Sequence, residues 1–300
     1  MKIIHQAQYI LLGLAAFIFS SCSQEEIELT KEVKQSELRV MVNYPDAAVT
    51  RATISGLSTS FEVGDQIGFF AVEKTEGLDD FGDPAVFFKE PYYNIPLTFD
   101  GSEWKPTDEN VKLFHSPNYA YYAYYPYQEN LNGYTNVYKY NTDEDYFEYN
   151  TAEGYFESII DNWEPKLDQS KLEDYLASDL MVGKGVSTTS EEDGSGTVSF
   201  NLKHQMGLVM LAYYDWESDE VVSDISSMNS WGYFFNEDAD EGDCPIPYNP
   251  GGQHFYYITK PGSTFSFYCW NSAFVQYEEF YVDVDGSAGF ITKYTIHPSY

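Results

Sequence analysis

The chain's 300 residues carry 48 acidic side chains against 16 basic ones, a formal charge of −32 at pH 7. Phosphate binding needs clustered Lys and Arg, so the balance argues against nucleic acid as a partner. Apolar residues make up 43% of the chain and aromatic residues 18%, enough for a globular core of one or two domains although charge of one sign repels itself in the compact state.

Residues 1–21 read as an export signal: Lys2 gives a short basic start, an apolar run extends from Tyr9 to Phe19, and small Ser20 and Ser21 follow. The run is shorter than the roughly 20 residues a membrane-spanning helix takes. Cys22, placed directly after the two serines, is similar to the lipobox cysteine of bacterial lipoproteins. That resemblance implies cleavage before Cys22 and diacylation of its thiol, with outer-membrane lipid as a partner. The acidic "SQEEIELTKE" that follows resembles the surface-export signal of lipoproteins from Gram-negative anaerobes, so residues 22–37 read as an acidic tether on an outward-facing protein. The alternative is an ordinary signal peptide with a chance cysteine. The other two cysteines, Cys244 and Cys269, would then sit in an oxidising compartment, either bridged or as two free thiols with one buried.

Beyond the tether the pattern is mostly β. Strand signals appear in 37–44, 65–73 and 94–104, where β-branched and aromatic residues are bounded by Gly, Pro or Asp, and again in 197–216, 253–270 and 278–286. The best helical candidate is Glu164–Leu180, where Leu167, Leu172 and Leu176 recur at about helical spacing. Low complexity is confined to Asn141–Glu157 and Ser187–Gly196. The second, rich in Ser, Gly and acid, reads as an exposed loop and a soft domain border. The expected units are an N-terminal domain over 38–195 and a C-terminal domain over 196–300.

Between these strands lies "SPNYAYYAYYPYQ", Ser116–Gln128, with six tyrosines in thirteen residues. Side chains alternate faces along a strand, so Tyr119, Tyr121, Ala123 and Tyr125 share one face while Ala120, Tyr122 and Tyr124 share the other. Pro126 ends the strand because it lacks an N–H for the ladder. A strand aromatic on both faces suits the core of a sandwich better than a one-sided glycan-stacking platform.

The segments "TRATISGLSTSFEVGDQIGFFA" (Thr50–Ala71), "YAYYPY" (Tyr122–Tyr127), "DLMVG" (Asp179–Gly183) and "VSFNLKHQMGLVML" (Val198–Leu211) resemble, in their order along the chain, the fimbrillin family of Mfa-like lipoproteins. The first holds Phe61, Gly64, Asp65 and Gly68 in the family's spacing, and the last holds Phe200 and His204. The resemblance implies two tandem transthyretin-like β-sandwich domains with one short helix, behind the lipoprotein signal. It also implies a pilus subunit or anchor of the fimbrium with a role in adhesion, whose partners are other pilus subunits through strand exchange and host or bacterial surface ligands. In such proteins a protease cuts after an arginine near the N-terminus and removes the first strand, and the matching residues are Arg51 and Ala52. The strand ahead of them alternates Leu38, Val40 and Val42 on one face. The alternative makes Arg51 an exposed loop residue and leaves the first strand in place.

Catalytic signatures are lacking in the sequence. The five histidines, His5, His115, His204, His254 and His297, are isolated, and no H-E-x-x-H, G-x-S-x-G or Gly-rich phosphate loop occurs. Carboxylate pairs arise by chance among so many acids and do not mark a glycosidase. His204, beside apolar residues, reads as a structural histidine. Asp65 reads as a loop carboxylate bonded to backbone amides. In "NEDADEGD" (Asn236–Asp243), Asp238 and Asp240 have the spacing of a calcium loop without its glycine and its glutamate, so no metal site and no cofactor is expected. The rival functions are a glycan-binding surface lipoprotein and a β-sandwich glycoside hydrolase.

Overall fold

The computed structural model of the chain describes residues 36–44, 60–78, 81–131, 151–192, 194–215, 220–221, 245–250, 254–271 and 276–296. The strands are β1 (Leu38–Asn43), β2 (Gln66–Leu78), β3 (Pro84–Phe99), β4 (Trp104–Pro106), β5 (Tyr119–Tyr125), β6 (Met181–Thr189), β7 (Gly196–Asn201), β8 (Lys203–His204), β9 (Gly207–Asp215), β10 (Glu220–Val221), β11 (His254–Thr259), β12 (Thr264–Asn271), β13 (Gln276–Asp283) and β14 (Ile291–Ile296). Among the described residues, three short helices, α1 (Ala152–Tyr155), α2 (Glu157–Asn162) and α3 (Leu172–Ala177), lie between β5 and β6. The class is all-β with few helices, as the sequence suggests.

The first sheet runs β5-β2-β3-β4-β1-β7-β6, and β6 pairs back to β5, so the strands close a ring with β8 attached to β6. One strand makes the closure. Met181–Lys184 of β6 pairs with β5, while Gly185–Thr189 pairs with β7. Gly185 sits at the change of partner, where a Cβ would stand 2.4 Å from Val198 Cγ2 and 2.9 Å from the Phe200 ring. The sequence reading of two facing sheets becomes, here, one sheet bent round on itself.

Strand alternation then builds layers. Ile67, Phe69 and Ala71 of β2 meet Tyr121, Ala123 and Tyr125 of β5 inside the ring, with Leu38, Val40, Leu97, Trp104, Val198 and Phe200. The opposite face of the same strands, Phe70, Val72, Tyr122 and Tyr124, packs on Tyr155, Phe156 and Ile159 of the helical segment, on Trp163, and on Leu208, Tyr256 and Ile258 of the second sheet. That second sheet places β9 between antiparallel β11 and parallel β14, with β10 pairing the end of β9. Its far face, Val209, Leu211 and Tyr257, packs on Phe267 and Val282 of the β12–β13 ribbon and on Val284.

Three expectations change. The segment Ser187–Gly196 holds the end of β6, the start of β7 and the hairpin turn between them, with Ser190 N–H bonded to Ser195 O at 2.8 Å. The strand that starts at Gly196 lies between β1 and β6, so sheet membership changes between His204 and Gly207 and not at residue 195. The helical candidate Glu164–Leu180 is helical only over Leu172–Ala177. Before it the chain is extended, with Asp168 bridged to Ile246 and the Gln169 side chain donating to Ile258 O at 2.7 Å and accepting from Ile258 N–H at 2.9 Å. Among the described residues, three short helices stand in place of the single one expected. The signal and tether, residues 1–35, lie outside the described residues.

Candidate functional site

The feature with the most functional content is the seat of β1. This strand pairs along its whole length with β7 in parallel, Leu38 opposite Gly196 through Asn43 opposite Asn201, whereas its other neighbour, β4, meets it at the single pair Val40–Trp104. Leu38 and Val40 point into the ring core and are buried, and Val42 packs against the same cluster. Arg39, Met41 and Asn43 point outward. The alternation read from the sequence is thus the alternation observed.

Both ends of β1 are fastened. At the start, Leu38 N–H donates to Leu113 O at 3.0 Å, Gly196 N–H donates to Glu37 O at 3.1 Å, and Glu37 bridges Phe114. At the end, Asn43 Nδ2 donates to Asn201 Oδ1 at 2.8 Å, and the Tyr44 ring meets Phe61 edge-on with centroids 5.0 Å apart. Phe61 in turn stands edge-on to Trp104 at 5.0 Å. On the outer surface Arg39 pairs with Glu103 at 3.0 Å, and Lys105 bridges Asp100 and Glu103. The Lys105 ammonium holds the Asp100 carboxyl well below the usual carboxylate range. These ion pairs are exposed and contribute little to stability.

Around the seat the motif residues find their places. Gly64 takes a φ of 101°, which favours glycine, and Asp65 closes the loop by accepting from Glu62 N–H at 2.8 Å and from the Tyr125 hydroxyl at 3.3 Å. Burial raises the Asp65 carboxyl above its ordinary value. His204 is buried and its Nδ1 lies 2.9 Å from one Asp179 oxygen and 3.0 Å from the other, the satisfied structural histidine expected. His115 fits between strands, Nε2 2.8 Å from Thr189 Oγ1 and Nδ1 3.2 Å from the Tyr121 hydroxyl. Burial pushes the Tyr121 hydroxyl up to about 12 and the His115 imidazole down.

The tyrosine strand is core on both faces: Tyr121, Tyr122, Tyr124 and Tyr125 are all buried. Tyr124 O–H donates to Asn94 Oδ1 at 3.0 Å, and Gln128 N–H donates back to the Tyr124 hydroxyl at 3.1 Å. These rings form no glycan platform. Cys22, Arg51, Ala52, Cys244, Asp238 and Asp240 lie outside the described residues, and Cys269 sits in β12 opposite Glu278. Among the described residues, no group of three His, Cys, Asp or Glu is placed to hold a metal ion.

A family profile described as fimbrillin-like matches residues 50–231. The chain belongs to that family. A candidate fimbrium tip subunit, Fim1C, from Bacteroides ovatus is 31% identical over 212 residues, covering 68% of this chain and 34% of its own length. A solved fimbrial protein from Bacteroides ovatus, 22% identical, superposes with a TM-score of 0.54 over 87% of this chain and 48% of that one. That likeness shows the fold. A candidate cell adhesion protein from Bacteroides uniformis is 14% identical with a TM-score of 0.44, covering 88% of this chain and 93% of that one. The chain thus spans about a third of the length of the Fim1C relative and about half that of the first solved structure.

Proposed function

We propose that the protein is a surface-exposed fimbrial subunit or anchor with a role in adhesion, held to the outer membrane by lipid on Cys22 while its first strand is retained, and joined to neighbouring subunits by exchange of a β-strand at the β1 seat once cleavage after Arg51 releases β1 together with Cys22. The family membership supports fimbrial assembly at the cell surface. The observation that carries strand exchange is the way β1 is held. Three alternating apolar side chains face the core, and backbone hydrogen bonding along β7 is the longest part of the remaining attachment, beside the contacts that fasten the two ends. Any extended segment with apolar residues at alternate positions supplies both.

Removing β1 would expose the hydrogen-bonding edge of β7 and a groove lined by Trp104, Val198 and Phe200. An unpaired edge over an apolar groove is a template for another chain. Burying the two side chains that take the places of Leu38 and Val40 is worth roughly 3–6 kcal/mol, at about 1.5–3 kcal/mol each, and a half-buried one in the place of Val42 adds to it, which gives an incoming strand a strong reason to bind. Arg51 and Ala52 form the proposed cleavage point, and a Cys244–Cys269 bridge belongs to the same reading. The burial of the tyrosine strand removes the aromatic surface that a glycan-binding reading relied on.

The test uses an arginine-specific protease. Arg39 and Arg51 are the two arginines of the chain, and Arg39 is paired within β1. Cleavage that leaves Ala52 as the N-terminus should convert a monomer into polymers on size-exclusion chromatography, while Arg51→Ala remains monomeric. A cleaved protein that stays monomeric and as stable as before would refute strand exchange at this seat.

A further inference from the structure

Because β1 and β7 are parallel, the chain enters the one and leaves the other at opposite ends of their pairing. It enters β1 at Leu38, opposite Gly196, and leaves β7 at Asn201, opposite Asn43. Six paired residues separate the two points, roughly 20 Å at about 3.3 Å per residue. The exit is then carried further the same way. Both β7 and β8 pair antiparallel with β6, where Val182 and Met181 meet Lys203 and His204, so β8 continues in the direction of β7 beyond the end of β1. Everything before Leu38, Cys22 included, is therefore joined to the ring at one end of the pair, and every strand after β8 is joined at the other.

This topology decides how β1 answers a pull. A force that draws the N-terminal side one way and the chain beyond β8 the other acts along β1. All six pairs of the β1–β7 ladder then carry it together, since the bonds of a parallel pair are evenly spaced. For β1 to slide, Leu38 and Val40 must also be dragged through the core, Val40 past Trp104. Where the load enters, the strand is held on both sides, by Leu38 N–H to Leu113 O and by Gly196 N–H to Glu37 O. A force across the strands instead meets the pairs one at a time, beginning with Leu38–Gly196. Forced unfolding is governed by the barrier out of the native state, and the two directions cross different barriers although they break the same bonds. We propose that the β1–β7 pair is a shear clamp, the element that bears tension between an attachment on the N-terminal side and the rest of the chain. Its use in the cell rests on the attachment proposed at Cys22 while β1 is retained, and strand exchange has no part in it.

Optical tweezers test the clamp on the full-length chain, with Cys22→Ser to keep lipid away, one handle at the N-terminus and a second on an azidophenylalanine. The second handle replaces either Lys203, beyond the far end of β1, or Glu191, in the β6–β7 turn beside its start. Both side chains are exposed, so either replacement leaves the urea midpoint unchanged. Departure of β1 frees residues 37–60, a step drawn from roughly 80 Å of chain at about 3.4 Å per residue. The expected result is this step from both handles, at a force several times higher from 203 than from 191, with the six pairs as the upper bound on the ratio. Equal forces in the two directions, a higher force from 191, or a first step of another length from 203 would each overturn the clamp. The lipid anchor stands or falls separately, on whether Cys22→Ala still sediments with membranes.

Discussion

Replacing Tyr122 by Ala removes the ring at the centre of the layer between the closed sheet and the helical segment. That ring is 1% exposed and stacks on Tyr155 with centroids 4.0 Å apart and planes 9° apart, while Phe156 meets it edge-on at 6.3 Å. Deleting a fully buried large aromatic costs about 3–5 kcal/mol, because transfer energy is lost and a cavity remains. The stacked pair accounts for about 0.5–1.5 kcal/mol of that. Tyr122→Phe keeps the ring and loses only the hydroxyl, so it should cost about 0.5–1.5 kcal/mol. Tyr281→Ala, at a side chain 64% exposed on β13, should fall within about 0.5 kcal/mol of wild type. Urea unfolding followed by intrinsic fluorescence measures all three. If Tyr122→Ala unfolds at the wild-type midpoint with an unchanged slope, the strand is not packed on both faces and the layered core is wrong.

His204→Ala leaves the Asp179 carboxylate buried without its imidazole partner, and should destabilise by about 3–5 kcal/mol in the same assay; a loss below about 1 kcal/mol would show that the pair is solvated. His115 and His254 both have folded-state values lowered by burial, the second also by the Lys293 charge. The unfolded chain therefore takes up protons near pH 6.5 that the folded chain resists. Their contribution is fully present above that pH and declines as pH falls below it. The drop in urea midpoint between pH 7.5 and pH 5.5 should shrink in His115→Gln/His254→Gln, and an unchanged drop would assign the effect to other groups. Cys22→Ala should release the protein from membranes into the soluble fraction; unchanged sedimentation with membranes would end the lipid-anchor proposal.

Strand periodicity was the legible part of this fold. Alternation alone divides Tyr119–Tyr125 correctly, Tyr121 and Tyr125 into one core and Tyr122 and Tyr124 into the other. The same rule places Leu38 and Val40 inward. Composition misleads where polar residues hide a few buried ones. Asn141–Glu157 looks like low complexity, yet Tyr155 and Phe156 anchor the central layer. The spacing of Leu167 and Leu172 suggests one helical face, but each side chain is about two-fifths exposed, 40% and 44%. Nearby, the fully buried Gln169 serves β11 as a substitute strand, and an amide in a polar stretch gives no advance sign of that role. An acidic Ser-Gly run cannot distinguish a domain linker from a hairpin turn, since both need only solvent and permissive backbone. Pairing between distant strands, β1 with β7 above all, decides the seat and leaves no local trace.

The central claim is that the β1 seat accepts a strand from outside its own chain. A protein beginning at Ala52, and so lacking β1, should form a ladder of oligomers by size-exclusion chromatography with light scattering, and an excess of a peptide spanning residues 36–44 should return it to monomers and restore its urea midpoint. A peptide with Val40→Asp should do neither, because a charge would have to enter the apolar core. A monodisperse monomer with the stability of the intact protein, obtained without any peptide, would contradict the account.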